Sequence, residues 1–328
     1  MKIIRLGIIG LGYVGQIHLR NSLRLEHTRV LAVSDLSKKA LTRAKSMGIK
    51  RVSSNYQDVL EDPEIDAVII ALPTHLHLQC ARQAAEAKKH IFLEKPIARN
   101  TDEAKDIVSA AQDNCAKLMI GYHLRFDTEF RSLKEKIKEG TLGDVEIAYA
   151  AYIDSGPFFH RQVDYAPVPV PEWWFDKELT GGGALIDLGS HIINLLRWYF
   201  GEIRNIKANF GHRLNMEVED SAVCLVEFFN GTRAIINVGW FSQAHQLKVE
   251  LLGSVGHAST QHAHSNTLKT AVRILTAGTT RLSYSHQSAL QYFVNCLIKD
   301  LSPVPSGQDG LRDLEAITRA YNNEIKLQ

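Results

Sequence analysis

Cysteine is scarce in this sequence, and its spacing excludes a disulfide framework. The 328 residues include four cysteines, with no C-x-x-C pair and without the dense spacing of a disulfide scaffold. Isolated cysteines of this kind are typical of reduced thiols in a cytosolic protein. An apolar core must therefore hold the chain together, and its 45% hydrophobic and 23% charged residues are ordinary for a globular protein.

Long apolar runs and concentrated charge are also missing. No apolar stretch approaches the roughly 20 residues that a membrane-spanning helix needs. The N-terminal run MKIIRLGIIGLGYVG is broken by Arg5 and by glycines, and no small-residue cleavage site follows it, so it does not resemble a signal peptide. The net charge is +2, and the lysines and arginines are scattered instead of forming the basic patch that nucleic acids require. We expect a cytoplasmic protein without a membrane anchor or a nucleic-acid partner.

Residues 1–122 have the pattern of an α/β domain. The chain is longer than one compact core usually is, so two domains are expected. The first domain alternates amphipathic runs with the short apolar runs IIRLGIIG, RVLAVSD, DAVIIAL, HIFLEK and KLMIGY. Strands this uniformly apolar are buried on both faces of a sheet. The predicted fold is a doubly wound parallel sheet of the Rossmann type.

Residues 123–328 have a different texture. Runs such as DVEIAYAAYID and IRNIKANFG alternate apolar and polar residues, which is typical of strands with one solvated face. The dipeptide Asn230-Gly231 predicts a hairpin between two further strands. The amphipathic run GLRDLEAITRAYNNEIK predicts a closing helix that packs back on the body. We therefore expect an α+β domain with an open, mostly antiparallel sheet.

A glycine-rich loop predicts a dinucleotide site. Gly10, Gly12 and Gly15 have the G-x-G-x-x-G spacing, and they lie between a predicted strand and a predicted helix. The first glycine permits a tight turn, the second lets the backbone approach a pyrophosphate, and the third lets helix and strand pack closely. The helix N-terminus then offers free N–H groups to the phosphates. Tyr13 and Val14 complete the predicted loop.

Asp35 predicts the identity of the cofactor. It ends the next predicted strand, 20 residues after Gly15, where a carboxylate accepts hydrogen bonds from the ribose 2′-hydroxyl and repels a 2′-phosphate. NAD is therefore preferred. NADP is the alternative, because Lys38 and Lys39 follow closely. A structural alternative is that Asp35 only caps the next helix, although Ser37 could also do so.

Three polar segments follow predicted strands and should lie at one edge of the sheet. They are PTHLH, EKP and GYHLRF, and ligands of doubly wound sheets bind beyond the carboxyl ends of the strands. A lysine at a strand end, directly before a proline, is held toward that edge; a surface lysine is the alternative. The residues predicted there are Leu72, Pro73, Thr74, His75, His77, Glu94, Lys95, Tyr122, His123 and Arg125.

An acid and an imidazole interrupt the apolar segment GGGALIDLGSHIINLLRWYF. Asp187 and His191 are four residues apart, so on a helix they point the same way. By themselves they could be a metal site, a buried polar pair or part of a catalytic site. A zinc site needs three or four converging ligands, and this segment offers two. No metal is predicted, and the later His257, His262 and His264 are interpreted as loop residues.

Four motifs together resemble a known family. They are Gly10–Gly15, Pro73–His77, Glu94–Pro96 and Gly182–His191, and in this order and spacing the sequence resembles the Gfo/Idh/MocA family of NAD(P)-dependent oxidoreductases over nearly the whole chain. The resemblance implies a Rossmann domain followed by a domain built on an open antiparallel sheet. It also implies a homodimer or homotetramer, because the uncovered face of that sheet commonly forms subunit contacts.

The resemblance assigns roles to three residues. It implies that Lys95 contacts the nicotinamide region and a substrate hydroxyl, while Asp187 and His191 face the same pocket. Imidazole titrates near neutral pH and suits a general base, so His191 is predicted to remove the hydroxyl proton. Lys95 would stabilise the alkoxide, and Asp187 would bind and orient the substrate. Many relatives have aspartate where this chain has Asn194. We expect this difference to affect the choice of substrate or the tuning of the site, and not to abolish catalysis.

The expected substrate is a cyclic polyol or a sugar. By analogy, myo-inositol is the first candidate for this NAD-dependent dehydrogenase, followed by an aldose or a UDP-N-acetylhexosamine oxidised at carbon 3. A glycosidase that recycles NAD and a non-catalytic NAD-binding sensor are the alternatives, although a sensor would not need all three residues named above. A loop from Pro157 to Trp174 is predicted to roof the pocket. The remaining predicted substrate contacts are Tyr152, His160 and Trp173.

Overall fold

The chain folds into two compact units. The computed structural model describes residues 2–158, 162–163, 166–167, 171–242, 245–260 and 281–326. One unit comprises Met1–His123 and Arg281–Leu311, and the other comprises Leu124–Thr280 and Arg312–Gln328. The first division falls one residue beyond the predicted boundary at residue 122. The assignment of Arg281–Leu311 to the first unit differs from the expectation that all of 123–328 forms the second domain.

The first unit is built on a six-stranded parallel sheet. Its strands are β1 (Ile4–Ile9), β2 (Thr28–Ser34), β3 (Arg51–Ser53), β4 (Ala67–Ile70), β5 (His90–Leu93) and β6 (Leu118–Ile120), in the order β3-β2-β1-β4-β5-β6. All four residues of β4 are fully buried, as two-sided covering of a parallel sheet requires. The strand order reverses between β1 and β4, which is where such sheets form a ligand crevice.

Six helices belong to the first unit, and one of them comes from far along the chain. They are α1 (Tyr13–Ser22), α2 (Lys38–Ser46), α3 (Gln57–Leu60), α4 (His77–Glu86), α5 (Thr101–Asp113) and α9 (Arg281–Ile298). Helix α9 joins this unit because its apolar stripe is buried there: the ring of Phe293 meets that of Phe92 in β5 edge to face, with centroids 5.7 Å apart. Sequence periodicity cannot reveal which core such a stripe will enter.

The second unit is built on a mixed sheet. Its strands are β7 (Val145–Ile153), β10 (Ile203–Gly211), β11 (Ser221–Phe228), β12 (Arg233–Gly239), β13 (Gln246–Gly253) and β14 (His257–Ser259), in the order β10-β11-β12-β7-β13-β14. All neighbours are antiparallel except β12 and β7. The predicted hairpin is present between β11 and β12, with Gly231 at a φ of +92°. Both predicted fold classes are confirmed.

The second unit also contains helices and a short pair of strands. They are the helices α6 (Thr128–Lys138), α7 (Lys177–Thr180), α8 (Ser190–Phe200) and α10 (Gly307–Asn322), and the short pair β8 (Gln162–Val163) and β9 (Ala166–Pro167). Helix α10 begins in the first unit and continues into the second. Among the described residues, no helix combines the length and the hydropathy that crossing a bilayer would need.

Candidate active site

The glycine loop forms a tight cradle at the start of α1. Gly10 has a φ of +90°, and a Cβ there would lie 2.4 Å from the carbonyl oxygen of Ala71. A Cβ on Gly15 would lie 2.0 Å from the carbonyl oxygen of Gly10. By contrast, a Cβ on Gly12 would meet no described atom within 4 Å, so open space lies in front of the helix N-terminus. This geometry fits a bound pyrophosphate.

Asp35 is tied to this loop. Its Oδ2 accepts a hydrogen bond of 2.6 Å from the N–H of Leu11, and its Oδ1 accepts one of 2.7 Å from Ser37. The hydroxyl of Ser37 caps α2 by accepting a hydrogen bond from Ala40. Capping of α2 is therefore provided by Ser37, and the carboxylate of Asp35 stands beside the loop that would hold the dinucleotide.

The segment after β4 is anchored by His77. Its Nδ1 lies 3.0 Å from the carbonyl oxygen of Pro96, and its Nε2 lies 2.9 Å from that of Leu72. The side chain is buried, and burial lowers its pKa. His77 therefore ties together the loops after β4 and β5. Of the other predicted residues of this segment, Thr74 is buried in a short turn, and Leu72, Pro73 and His75 are half-buried.

Glu94 forms a buried hydrogen bond that the sequence analysis missed. Its Oε1 lies 2.6 Å from Nε2 of His18, and its Oε2 accepts a hydrogen bond of 3.1 Å from the backbone N–H of Lys95. Burial opposes the ionisation of Glu94, but the hydrogen bond from His18 and the nearby charges hold its pKa below the ordinary value. Glu94 is thus a partner of the backbone that carries Lys95, which is itself half-buried.

His18 could have been sought from the sequence, because a buried carboxylate needs a partner. It lies three residues after Gly15, one turn into the helix that the glycine loop opens. His286 on α9 is its other neighbour, with ring centroids 5.4 Å apart. No local signal points to His286, since it is remote in sequence.

His18, Glu94 and His286 lie close together but do not have the spacing of a metal site. Among the described residues, His18, Glu94 and His286 are the group whose possible ligand atoms lie within 4.8 Å of one another. Ligands of a tetrahedral zinc ion, at bond lengths of about 2.0–2.2 Å, lie roughly 3.3 Å apart. The separation of 2.6 Å between His18 and Glu94 is instead that of a charge-assisted hydrogen bond. The cluster is therefore arranged for hydrogen bonding.

His286 predicts a specific loss of stability in acid. Burial and the charge of His18 lower its pKa to about 3, whereas an unfolded histidine titrates near 6.5. Between these values the unfolded chain binds a proton that the folded chain does not, so stability should fall as the pH drops from about 6.5 toward 3. His286→Phe should make this fall shallower in urea unfolding measured from pH 7 to 5. The matched change His257→Phe on exposed β14 should not, and equal slopes in all three proteins would exclude this role.

Tyr122 and His123 lie in the interior of the first unit. Tyr122 is buried, and Nδ1 of His123 lies 2.9 Å from the hydroxyl oxygen of Ser285. The ring of His123 stacks on that of His286 at 3.9 Å. The contacts of His123 are therefore with other residues of the first unit, and the predicted contact of Tyr122 and His123 with substrate remains a prediction.

In the second unit, Asp187 lies on a π-helical turn. This turn, Leu185–Gly189, leads directly into α8, whose second residue is His191. π-Helical turns are rare and frequently occur at functional sites. Asp187 is half-buried and His191 is buried.

Glu219 holds the start of this turn in place. Its carboxylate accepts hydrogen bonds from the N–H groups of Gly183 and Leu185, at 3.0 and 2.9 Å, and from the hydroxyl of Tyr321 at 2.7 Å. A Cβ on Gly183 would lie 2.0 Å from the carbonyl oxygen of Glu219, and one on Gly182 would lie 2.1 Å from the Tyr321 hydroxyl. The glycines are needed because the chain passes so close to these groups.

Aromatic side chains surround the acid and the imidazole. The indole N–H of Trp240 donates a hydrogen bond of 3.2 Å to Oδ2 of Asp187, and the ring of Tyr152 lies 5.9 Å from that of His191. Trp173 stacks on Trp174 at 5.1 Å, and Trp174 meets Trp240 edge to face at 6.3 Å. Trp240 was missed because it is 53 residues away from Asp187. The predicted contact His160 lies outside the described residues, as do His262 and His264. His257, interpreted from the sequence as a loop residue, is instead the first residue of β14.

Arg125 lies in a buried network with Asn194. Its Nε donates a hydrogen bond of 2.7 Å to Oδ1 of Asn194, whose Nδ2 donates one of 2.6 Å to Asp313. Asp313 also pairs with Arg197. Burial raises the pKa of Asp313 to about 6, against the opposing charge of Arg197. The amide of Asn194 suits this position because it accepts on one side and donates on the other, and an aspartate would face a second carboxylate.

Two family models match most of the chain. Residues 4–122 match the model described as "Oxidoreductase family, NAD-binding Rossmann fold", and residues 130–259 match the one described as "GFO/IDH/MocA C-terminal domain". The parallel sheet and its glycine loop lie within the first of these matches, which is that of an oxidoreductase with an NAD-binding Rossmann domain. This chain belongs to the Gfo/Idh/MocA family, as its four motifs predicted.

Individual relatives agree with this assignment. The uncharacterized oxidoreductase YrbE of Bacillus subtilis strain 168 is 31% identical over 276 residues, which are 82% of this chain and 76% of that protein. The scyllo-inositol 2-dehydrogenase (NAD(+)) of the same organism is 28% identical over 345 residues, covering 99% and 96% of the two chains. The crystal structure of scyllo-inositol dehydrogenase from Lactobacillus casei with NAD(H) and scyllo-inositol has a TM-score of 0.81 at 24% identity, covering 98% and 97% of the two chains.

Proposed function

We propose that this protein is an NAD-dependent dehydrogenase that oxidises a secondary ring hydroxyl of a cyclic polyol or sugar, with myo-inositol as the first candidate. The observation that carries the proposal is the placement of Asp187 on a π-helical turn that leads directly into α8, where His191 is the second residue, with Trp240 hydrogen-bonded to the acid. A base and a hydrogen-bond acceptor on adjacent helical turns suit a substrate rich in hydroxyl groups. The inositol dehydrogenase among the relatives supports the same substrate class.

Each proposed catalytic residue has one task. Bound NAD supplies the hydride acceptor, nicotinamide C4. His191 takes the proton of the reacting hydroxyl while the carbon loses hydride, so that the alcohol becomes a ketone. The ammonium group of Lys95 stabilises the negative charge that develops on the substrate oxygen. Asp187 accepts a hydrogen bond from a substrate hydroxyl and orients the ring.

The cofactor preference should depend on the charge of Asp35. Asp35→Asn keeps an acceptor for the Leu11 N–H but removes the charge that repels a 2′-phosphate. We expect the ratio of kcat/KM for NAD to kcat/KM for NADP to fall about tenfold or more, which corresponds to about 1.4 kcal/mol. Asp58→Asn, in the short helix α3, is the control and should leave the ratio unchanged. An unchanged ratio in Asp35→Asn would remove this residue from cofactor selection.

The activity itself is tested by a substrate screen. NADH absorbance is followed with NAD and a panel of inositols, aldoses and sugar nucleotides. We expect reduction of NAD with at least one polyol or sugar. Binding of NAD without turnover of any member would contradict the proposal and favour a sensor, whereas sugar release without net NADH would favour the NAD-recycling glycosidase.

We propose a homodimer or homotetramer assembled through the exposed face of the second sheet. Tyr149, Leu225 and Ile235 lie side by side in register on three neighbouring strands, and 40%, 51% and 37% of their surfaces are exposed. A contiguous apolar patch of this kind marks an interaction surface.

A charge on this face should weaken assembly. Leu225→Glu places a carboxylate at the most exposed residue of the patch, so sedimentation velocity should show smaller species than the unaltered protein forms at the same concentration. Leu301→Glu, at an equally exposed leucine of the first unit, is the matched control. An unchanged sedimentation coefficient in Leu225→Glu would place the subunit contact elsewhere.

A further inference from the structure

A large cavity lies in the second unit, and the proposed chemistry does not account for it. Its volume is about 820 Å³, which is toward the upper end of the roughly 300–1,000 Å³ that is usual for small-molecule pockets. Most of the described residues that line it are aromatic or aliphatic: Phe158, Phe175, Leu214, Met216, Trp240 and Phe241. A free inositol or sugar can stack the C–H face of its ring on such walls, but the hydroxyl groups around its edge would find few polar partners among these side chains. The cavity therefore suits a different chemical group.

Trp240 connects this cavity to the candidate catalytic residues. Its ring lines the cavity, while its indole N–H donates the hydrogen bond to Asp187. Asp187 and the cavity therefore both contact Trp240, and a ligand whose hydroxyl-bearing ring is held by Asp187 would reach the cavity beside this side chain. Asp187 and the residues that line the cavity all belong to the second unit.

The aromatic walls are preformed. Phe158 and Phe175 stack with centroids 5.4 Å apart and ring planes at 19°. Gly156, at a φ of +53°, lets the backbone lie against Trp240, since a Cβ there would be 2.2 Å from the indole ring. A Cβ on Gly239 would likewise lie 2.1 Å from the ring of Phe241. Aromatic walls held in this way favour a flat ring inserted among them.

The polar groups of the lining define the ligand further. Ser155 is buried, and its hydroxyl has no hydrogen-bond partner among the residues that the structure describes. A ligand oxygen beside the ring would satisfy it. The described charged groups of the lining are Arg213 and Glu217, whose charges cancel. This balance does not favour a phosphate, and it argues against a sugar nucleotide.

We infer that this cavity is a binding subsite for an aromatic aglycone. The substrate class is then an aryl glycoside, or a polyol carrying an aromatic ether, whose sugar or polyol ring bears the hydroxyl that is oxidised. The aromatic ring lies among the phenylalanines and Trp240, and its ether or phenolic oxygen accepts a hydrogen bond from the hydroxyl of Ser155. This inference rests on the proposed dehydrogenase function.

Kinetics with matched substrates test the inference. We compare phenyl α- and β-glucosides with glucose, and an O-benzyl myo-inositol with myo-inositol, in the NADH assay. Burial of the added ring should raise kcat/KM by about tenfold or more over that of the unsubstituted partner. Phe175→Ala should abolish most of this advantage and leave kcat/KM for the unsubstituted partner nearly unchanged. Phe229→Ala, at an exposed phenylalanine on the β11–β12 hairpin, is the matched control.

A binding measurement separates failure of the subsite from failure of the proposed function. Isothermal titration with the phenyl glucosides in the presence of NADH requires no turnover. Binding that weakens about tenfold in Phe175→Ala, or in Met216→Ala should the first variant not fold, would support the subsite even if no substrate is oxidised. Equal affinity and equal kcat/KM for substituted and unsubstituted ligands would overturn the inference, and so would equal losses for both ligands in Phe175→Ala.

Discussion

Replacing His191 by alanine should lower kcat by about 10²–10⁴-fold, the range that general-base catalysis contributes. The imidazole is the proposed acceptor of the hydroxyl proton, so its loss removes an interaction made only during the reaction. The glycine loop lies in the other unit, and the affinity for NAD should stay within about twofold of the original. Stopped-flow kinetics measure the turnover, and quenching of the protein's tryptophan fluorescence by added NAD measures the affinity.

Two further variants show whether the effect of His191→Ala is chemical. His191 is buried, so an alanine also leaves a cavity. His191→Gln fills most of that volume and keeps a hydrogen-bonding group without a base of suitable strength, and it should be nearly as inactive. His257→Ala, on exposed β14, should keep full activity. Turnover within tenfold of the original in His191→Gln would remove His191 from its proposed role.

Replacing His18 by alanine should lower the free energy of unfolding by about 3–5 kcal/mol. The change removes the side chain that hydrogen-bonds to the buried carboxylate of Glu94 and leaves it only the backbone N–H of Lys95, and removing one member of a buried pair costs about this much. Urea unfolding at pH 7 measures the loss.

The double variant His18→Ala/Glu94→Gln is the diagnostic one. It removes the stranded charge, so it should recover at least half of the stability that His18→Ala loses. A loss below about 1 kcal/mol in His18→Ala would show that the pair contributes little. Failure of the double variant to recover stability would attribute the loss to the missing ring, which packs edge to face on Phe92 at 5.3 Å.

The glycine loop and the place of Asp35 beside it could be predicted because their geometry is local. Gly10, Gly12 and Gly15 lie close together at the start of α1; a Cβ on Gly10 or Gly15 would collide with a backbone carbonyl, whereas one on Gly12 would meet no described atom. Asp35 follows the strand that pairs with the strand before this loop, so parallel pairing brings it there. The edge strand β3 was not predicted, because three residues carry too little periodicity.

The surroundings of the polar residues could not be predicted in the same way. His77, His123 and Arg125 are all predicted ligand contacts, and the structure buries each of them with internal partners. Polar residues at strand ends look alike in sequence whether they face a ligand or the core. The difference depends on which distant group, such as Ser285 or Asn194, is packed against them.

The sequence by itself determined the two fold classes, the glycine loop with Asp35, and the presence of an acid and an imidazole one helical turn apart. These follow from periodicity and from residue types at fixed spacing, which are properties of short segments. Only the tertiary structure decided that α9 joins the first unit, that His18 hydrogen-bonds to Glu94, and that Trp240 links Asp187 to an apolar cavity. Such contacts join segments far apart in the chain, and their formation depends on the packing of the whole core, which no local pattern encodes.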